Sequence, residues 1–169
     1  MTARIELREA TEDDAAVLGN LLQLYFHDFT DFEAWDIGDD GRFSDEPVQR
    51  WIATPSRHPY IIRVDGKLAG FALVDQGSRI SDDPAIIDMG EFFVLRRYRR
   101  SGVGRHVARE LFDRYPAVWE VRQLPRNLAA QAFWRRIIGE YTDGTYEDFV
   151  APDGDTAQRF DSRRSSTST

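Results

Sequence analysis

One stretch constrains the fold more than any other: Met89 to Arg114, MGEFFVLRRYRRSGVGRHVARELFDR. Phe92-Phe93-Val94-Leu95 is an apolar run that predicts a buried strand. It gives way to Arg96-Arg97-Tyr98-Arg99-Arg100-Ser101-Gly102-Val103-Gly104. A helical period follows at once, with Val103, Val107, Leu111 and Tyr115 four residues apart on one face. The order is therefore strand, arginine- and glycine-rich turn, helix. A helix N-terminus offers unpaired backbone N–H groups and the positive end of the helix dipole. Gly102 and Gly104 put no side chain between that backbone and an approaching phosphate. Five arginines lie between positions 96 and 105 of a chain whose net charge is −7. This local reversal of sign predicts a polyanionic ligand. A Walker phosphate loop needs Gly-Lys-Ser/Thr, and the turn has no lysine. A dinucleotide fingerprint needs a third glycine, which Gly-Val-Gly-Arg-His-Val lacks. Five arginines also suit a nucleic-acid backbone, but the acidic remainder of the chain would repel DNA or RNA. A small phosphorylated ligand is the better reading.

The turn resembles the pyrophosphate-binding signature of the GNAT N-acetyltransferases, Arg/Gln-x-x-Gly-x-Gly/Ala, written here as Arg99-Arg100-Ser101-Gly102-Val103-Gly104. The wider pattern of that superfamily, Val-x-x-x-Tyr-Arg-x-x-Gly-x-Gly, is similar at Val94, Tyr98, Arg99, Gly102 and Gly104. A second signature, Asn-x-x-Ala-x-x-Phe/Leu-Tyr, is matched by Asn127, Ala130, Phe133 and Trp134, with tryptophan where many members carry tyrosine. The opening, a strand and then Arg8-Glu9-Ala10-Thr11-Glu12-Asp13-Asp14 before a helix, also looks like the start of such a domain. The likeness covers about residues 3 to 150.

The resemblance implies an α/β fold: a mixed, mostly antiparallel sheet of six or seven strands, flanked by helices on both faces. It implies acyl-CoA-dependent N-acyl transfer, with acetyl-CoA as cosubstrate and no metal. The coenzyme would lie on Val94, Leu95, Arg99, Arg100, Ser101, Gly102, Val103, Gly104 and Arg105, and on Asn127, Phe133 and Trp134. The pantetheine arm would pair with the backbone of Val94 and Leu95, and the Val94 N–H would face the acyl oxygen. Dimers are frequent in that superfamily, which makes a homodimer one expectation.

At 169 residues the chain suits one domain, taken as residues 1–161, with a polar, low-complexity tail at 162–169 expected to be disordered. The absence of cysteine removes disulfides, thiolate metal sites and a cysteine nucleophile. His27, His58 and His106 show no metal-ligand spacing. No apolar stretch reads as a signal peptide or a membrane span, so a cytoplasmic protein with no membrane partner is expected.

Along the chain, Arg4 to Glu9 predicts a strand, and Thr11 with Asp14 a capped helix start carrying Val17, Leu18, Leu21, Leu22 and Tyr25. Asp45 to Thr54 predicts a short helix ended by Pro55. Tyr60–Val64 and Lys67–Gln76 predict strands joined by an Asp65-Gly66 hairpin turn. Ala85 to Leu95 predicts a long strand with a bulge near Gly90. Val118–Val121 predicts another strand, and Leu128–Ile138 a helix capped by Asn127 and stopped by Gly139. Tyr141–Val150 and Gln158–Asp161 supply the last strands.

The chemistry implied is acyl transfer to an amine. A lysine-type amine has a pKa of ~10.4, so a base must take its proton first. Glu91, Glu120 and Asp88 are the candidates, since acidic residues on apolar strands ask for an explanation. Glu91 and Glu120 rank above Asp88. Glu120 resembles the glutamate that ribosomal-protein acetyltransferases carry on the matching strand, and Asp88 the histone acetyltransferases' glutamate. Between His27 and Glu46, acidic residues alternate with Phe29, Phe32, Trp35 and Phe43. Such a segment is either a solvated connection or the wall of a pocket for a cationic amine. The resemblance favours the wall, with Tyr25, Phe29, Asp31 and Phe32 on the acceptor. The acceptor would be a small cationic molecule or a peptide. Trp134 is not a usable proton donor to a departing thiolate. Either another group serves, Tyr141 or Tyr98, or the thiolate leaves with solvent help, or the chain is a catalytically weak acyl-CoA-binding or sensing module; the arginine cluster separately allows a nucleic-acid-binding domain.

Overall fold

The computed structural model describes residues 3–43 and 48–163. Among these residues are seven strands: β1 (Ile5–Glu9), β2 (Arg57–Val64), β3 (Lys67–Gln76), β4 (Ile86–Val94), β5 (Val118–Gln123), β6 (Glu147–Val150) and β7 (Thr156–Asp161). Four helices carry the 3.6-residue period: α1 (Ala15–Phe29), α2 (Val48–Ala53), α3 (Val103–Arg114) and α4 (Leu128–Tyr141). The strands form one sheet in the order β1-β2-β3-β4-β5-β7-β6. Every pairing is antiparallel except that of β4 with β5. The mixed, mostly antiparallel sheet with helices on both faces is the architecture expected.

Because side chains alternate across a strand, the sheet buries two cores. On one face Tyr60, Ile62, Ala72, Val74, Met89 and Val94 pack with Val107, Leu111, Phe112, Trp134, Ile137 and Ile138 of α3 and α4. On the other, Ile61, Phe71, Leu73 and Phe93 receive Leu18, Leu21, Leu22 and Tyr25 of α1 and Val48 and Trp51 of α2. Phe112 holds the first core together, with ring centroids 5.0 Å from Trp119, 5.2 Å from Tyr141 and 4.8 Å from Phe160.

Local signals explain most boundaries. Asp65 and Gly66 both take positive φ, 50° and 77°, as the tight β2–β3 hairpin demands. Leu73 pairs with Glu91 and Val74 with Met89, so Gly90 is the bulged residue of β4. Pairing of β4 with β5 ends at Asp88 opposite Glu120, although β4 runs on to Val94. Beyond that point the two strands part.

Three expectations change. α4 does not stop at Gly139 but continues to Tyr141, because burying Tyr141 in the first core adds apolar contact beyond the glycine. The stop comes at Asp143 and Gly144, both with positive φ, and the Gly144 N–H returns to the Gly139 carbonyl at 2.8 Å. The segment Tyr141–Val150 is consequently extended only from Glu147. Ser162, assigned by composition to the tail, is buried and exchanges hydrogen bonds with Ala117 at 2.9 and 3.1 Å. Residues 164–169 of that tail, and residues 45–47 of the helix expected from Asp45, lie outside the described residues. Among the described residues no helix is long and apolar enough to cross a membrane.

Replacing Phe112 by Ala should cost about 3–5 kcal/mol of unfolding free energy, since Phe112 is fully buried among three aromatic rings. Urea unfolding followed by circular dichroism measures it, and a loss under about 1 kcal/mol would contradict this packing.

Candidate functional site

Among the described residues, the parting of β4 from β5 leaves one edge of β4 without a strand partner beyond Asp88. The Leu95 N–H bonds back to Ala69 of β3 at 2.8 Å. Alternation along the strand therefore turns the backbone groups of Val94 to the opposite, open edge. There the Val94 carbonyl accepts from Arg99 Nε at 2.7 Å. The mouth of the cleft is the start of α3. Gly102, at φ 86°, turns the chain in a left-handed conformation and frees the first N–H groups of α3. Gly104 faces the Phe133 ring of α4; a Cβ there would come within 3.1 Å of it. Phe133 in turn leans on Phe92 with centroids 6.1 Å apart.

The other loop residues divide into tied and exposed groups. Arg99 also pairs with Asp28 of α1, and Arg96 joins the same carboxylate at 2.7 Å. Burial works against ionising Asp28, but the two guanidiniums outweigh it and hold its carboxyl below the usual range. Arg105 reaches Glu140 of α4 at 2.8 Å. Ser101 Oγ donates to the Tyr98 carbonyl at 2.6 Å, while Arg100 is exposed with φ 61°. Asn127 caps α4 by accepting from the Ala130 N–H at 3.1 Å. Trp134 is 5% exposed and packs edge-on against Phe92 at 4.9 Å, so its ring belongs to the core beneath the cleft. Tyr141 gives its hydroxyl to Asp113 at 2.6 Å, among Phe112 and Phe160.

The α1/α2 face of the same strands carries the carboxylates. Glu91 is half-buried and accepts from the Tyr25 hydroxyl at 2.6 Å. Burial, and then the charge of Glu91, raise Tyr25 well above an ordinary phenol. Asp88 is 1% exposed and faces Arg79 of the β3–β4 loop at 3.2 Å. Arg79 also grips Asp75 at 2.8 Å, and Asp75 accepts from Arg57 at 3.0 Å. Gly90 makes room for this arrangement, since a Cβ there would sit 2.7 Å from Asp75 and 3.0 Å from Arg79. Burial pushes the Asp88 carboxyl up to about 6, against the pull of Arg79 and Arg122 and with the help of Asp75 and Glu120. Glu120 is fully buried, accepting from Ser78 at 2.5 Å and Arg159 at 2.6 Å.

The segment after α1 lies beside this face. Phe29 stacks on Trp35 at 5.7 Å and meets Phe32 edge-on at 6.2 Å. Arg126 of the β5–α4 loop ties it down by donating to the Phe32 carbonyl at 3.1 Å. Asp31 is exposed on it. A cavity of about 520 Å³ lined by Ser81, Ile86, Val118 and Arg159 opens at the other end of β4–β5, where the strands are still paired.

The fold thus places Val94 and the Gly102–Gly104 turn at the open edge of β4, and Glu91 with Tyr25 on the α1/α2 face of the same strand. It keeps Glu120 and Asp88 inside the sheet, held by arginines. Sequence reading missed Arg79, Asp75 and Asp28. Arg79 sits in a polar loop with no motif, and Asp28 is one acid among many, so only their placement distinguishes them.

The raised Asp88 sets a pH signature. A folded carboxyl near 6 against an unfolded value near 3.8 makes the native state bind the extra proton between those values. Its stabilising contribution is complete below about pH 4 and is lost as the pH rises through about 6. Relative to Asp88→Asn, the wild type should lose on the order of 3 kcal/mol between about pH 4 and pH 7. Urea midpoints for both proteins test this, and parallel curves would refute it.

Residues 19–139 match the acetyltransferase (GNAT) family. None of the curated proteins matches the sequence. Among solved structures, the aminoglycoside acetyltransferase AAC(6')-Ib in complex with coenzyme A is 21% identical, with TM-score 0.65 and 96% of each chain covered. An acetyltransferase from Thermus thermophilus is 12% identical, with TM-score 0.68, covering 95% of this chain and 98% of its own. The GNAT domain of S. lividans PAT is 18% identical, with TM-score 0.61, covering 95% and 94%. These likenesses share the fold, and the family match spans both the Gly102–Gly104 turn and the Asn127 signature. The chain belongs to the acetyltransferase (GNAT) family.

Proposed function

We propose that the protein transfers an acetyl group from acetyl-CoA to a primary amine of a small cationic molecule or peptide, by direct attack with Glu91 as base. The observation that carries this reading is the placement of Glu91 on β4 just past the point where β5 departs, with Tyr25 fixing its carboxylate. The residues present fit the coenzyme. Gly102 frees the N–H groups at the start of α3, and Gly104 opens a space that a Cβ would fill. Val94, Leu95, the turn from Arg99 to Arg105, and Phe133 would hold it. Asn127 and Trp134, also expected there, support it indirectly by capping and seating α4. Acetyl-CoA supplies an activated thioester.

Within that frame the chain's own groups divide the work. Glu91 takes the proton that an ammonium group must lose before its nitrogen attacks. The Val94 N–H, turned to the open edge, donates to the carbonyl oxygen as it gains charge. The C–N bond forms, the nitrogen gives its second proton to solvent, the C–S bond breaks, and the thiolate takes a proton from solvent, because Trp134 offers no acid there. Glu120 and Asp88 serve as structure, one bound to Ser78 and Arg159, the other to Arg79. Phe29, Phe32 and Asp31, with Trp35, form the wall for a cationic acceptor, combining ring faces and negative charge. Solved relatives that hold kanamycin with coenzyme A, or ribostamycin with coenzyme A, put polycationic amines first in the panel to test.

Trp134 in place of tyrosine favours one second reading, an acyl-CoA-binding module with weak transfer. A nucleic-acid role is less well supported, since Arg96, Arg99 and Arg105 of the cluster pair with carboxylates of the same chain.

Gly104→Glu should weaken acetyl-CoA binding at least ~100-fold by calorimetry, because the side chain meets Phe133 and brings negative charge to the phosphate site. Retained affinity would remove the turn from the coenzyme site. Glu91→Gln should keep that affinity and lower thiol release with a reactive amine by roughly 10²–10⁴-fold. An undiminished rate would eliminate Glu91 as the base; binding without release to any amine would favour the sensing module.

A further inference from the structure

We infer that Tyr25 is a positioning residue for Glu91, its hydroxyl fixing the orientation of the carboxylate. The inference rests on the reading of Glu91 as the base. The sequence suggested that Tyr25 lines the acceptor pocket, but the residue is 9% exposed and its ring is clamped in the second core. Phe29 meets it at 4.6 Å and 71°, Phe71 at 5.5 Å and 90°, and Phe93 at 5.5 Å and 51°. A ring held from three sides leaves the hydroxyl one place to go, 2.6 Å from Glu91 Oε2. The hydroxyl donates to the carboxylate, so its proton has a set direction.

Burial and the neighbouring negative charge keep the phenol protonated through any working pH, which makes Tyr25 a permanent donor. A donor to the charged form of a carboxylate favours that form. Arg79 of the β3–β4 loop also faces the pair and acts on both Tyr25 and Glu91. Arg79 is itself held by Asp75 of β3 and Asp88 of β4. From β5, Glu120 and Arg122 act on Asp88. The turn that carries Tyr25 is anchored three residues on, where Asp28 takes Arg96 and Arg99. One helix turn therefore sets the base on one side and the arginine loop on the other.

The test needs no knowledge of the acceptor. Protein labelled with ¹³C at the glutamate side-chain carboxyl is titrated, with the Glu91 signal assigned by its loss in Glu91→Gln. Tyr25→Phe keeps the ring contacts and should raise the Glu91 midpoint by about one pH unit. In wild type labelled at tyrosine Cζ, the Tyr25 signal should shift in step with the Glu91 midpoint, and Glu91→Gln should abolish that step. This second measurement decides the matter should Tyr25→Phe fail to fold. An unmoved Glu91 midpoint, or a Tyr25 signal blind to Glu91, overturns the inference and leaves the base assignment standing. Full activity in Glu91→Gln overturns the base assignment and, with it, the role given to Tyr25.

Discussion

The structure depends on the point where β4 and β5 come apart. Parallel pairing stops at Asp88 opposite Glu120, and buried ion pairs pin that apex from the α1/α2 face. Ser78 and Arg79, neighbours in the β3–β4 loop, reach Glu120 and Asp88 respectively. The loop therefore bridges the two strands at their last point of contact. Removing one partner of such a pair leaves a charge in a dry interior, which is why arginines and carboxylates match so closely here. The bulge at Gly90 follows, because Asp75 and Arg79 occupy the space a side chain would need.

Once the strands part, an open backbone edge exists, and the rest of the site is arranged on its two sides. The α3/α4 side offers glycines, free N–H groups and the Phe92–Phe133 surface, which suit a phosphorylated carrier. The α1/α2 side offers Glu91 and the aromatic, acidic segment after α1, which suit an amine. Helix α1 spans both, through Tyr25 to Glu91 and through Asp28 to Arg96 and Arg99. Carrier and amine would then meet across β4 from opposite faces of one sheet.

Reading by residue type worked best where chemistry is local. The hairpin at Asp65-Gly66 and the cap at Asn127 depend on a few neighbouring residues, and each is where it was expected. It failed at Gly139, where a good stop signal is overridden by burial of Tyr141 against Phe112 and Phe160. It ranked Glu120 beside Glu91 because both are acids on apolar strands. Nothing near Glu120 in the chain announces Ser78, 42 positions away, or Arg159, 39 away.

By itself, then, the sequence determined the family and the strand–turn–helix unit, because these rest on periodicity and backbone freedom within a few residues. Tertiary structure decided which carboxylates are locked away, Glu120 by Ser78 and Arg159 and Asp88 by Arg79. It also decided that the buried Tyr25 donates to Glu91 and that Asp28 answers the arginines. The physical reason is that the fate of an ionisable group depends on its burial and on partners brought from distant segments, and neither is written in its neighbours along the chain.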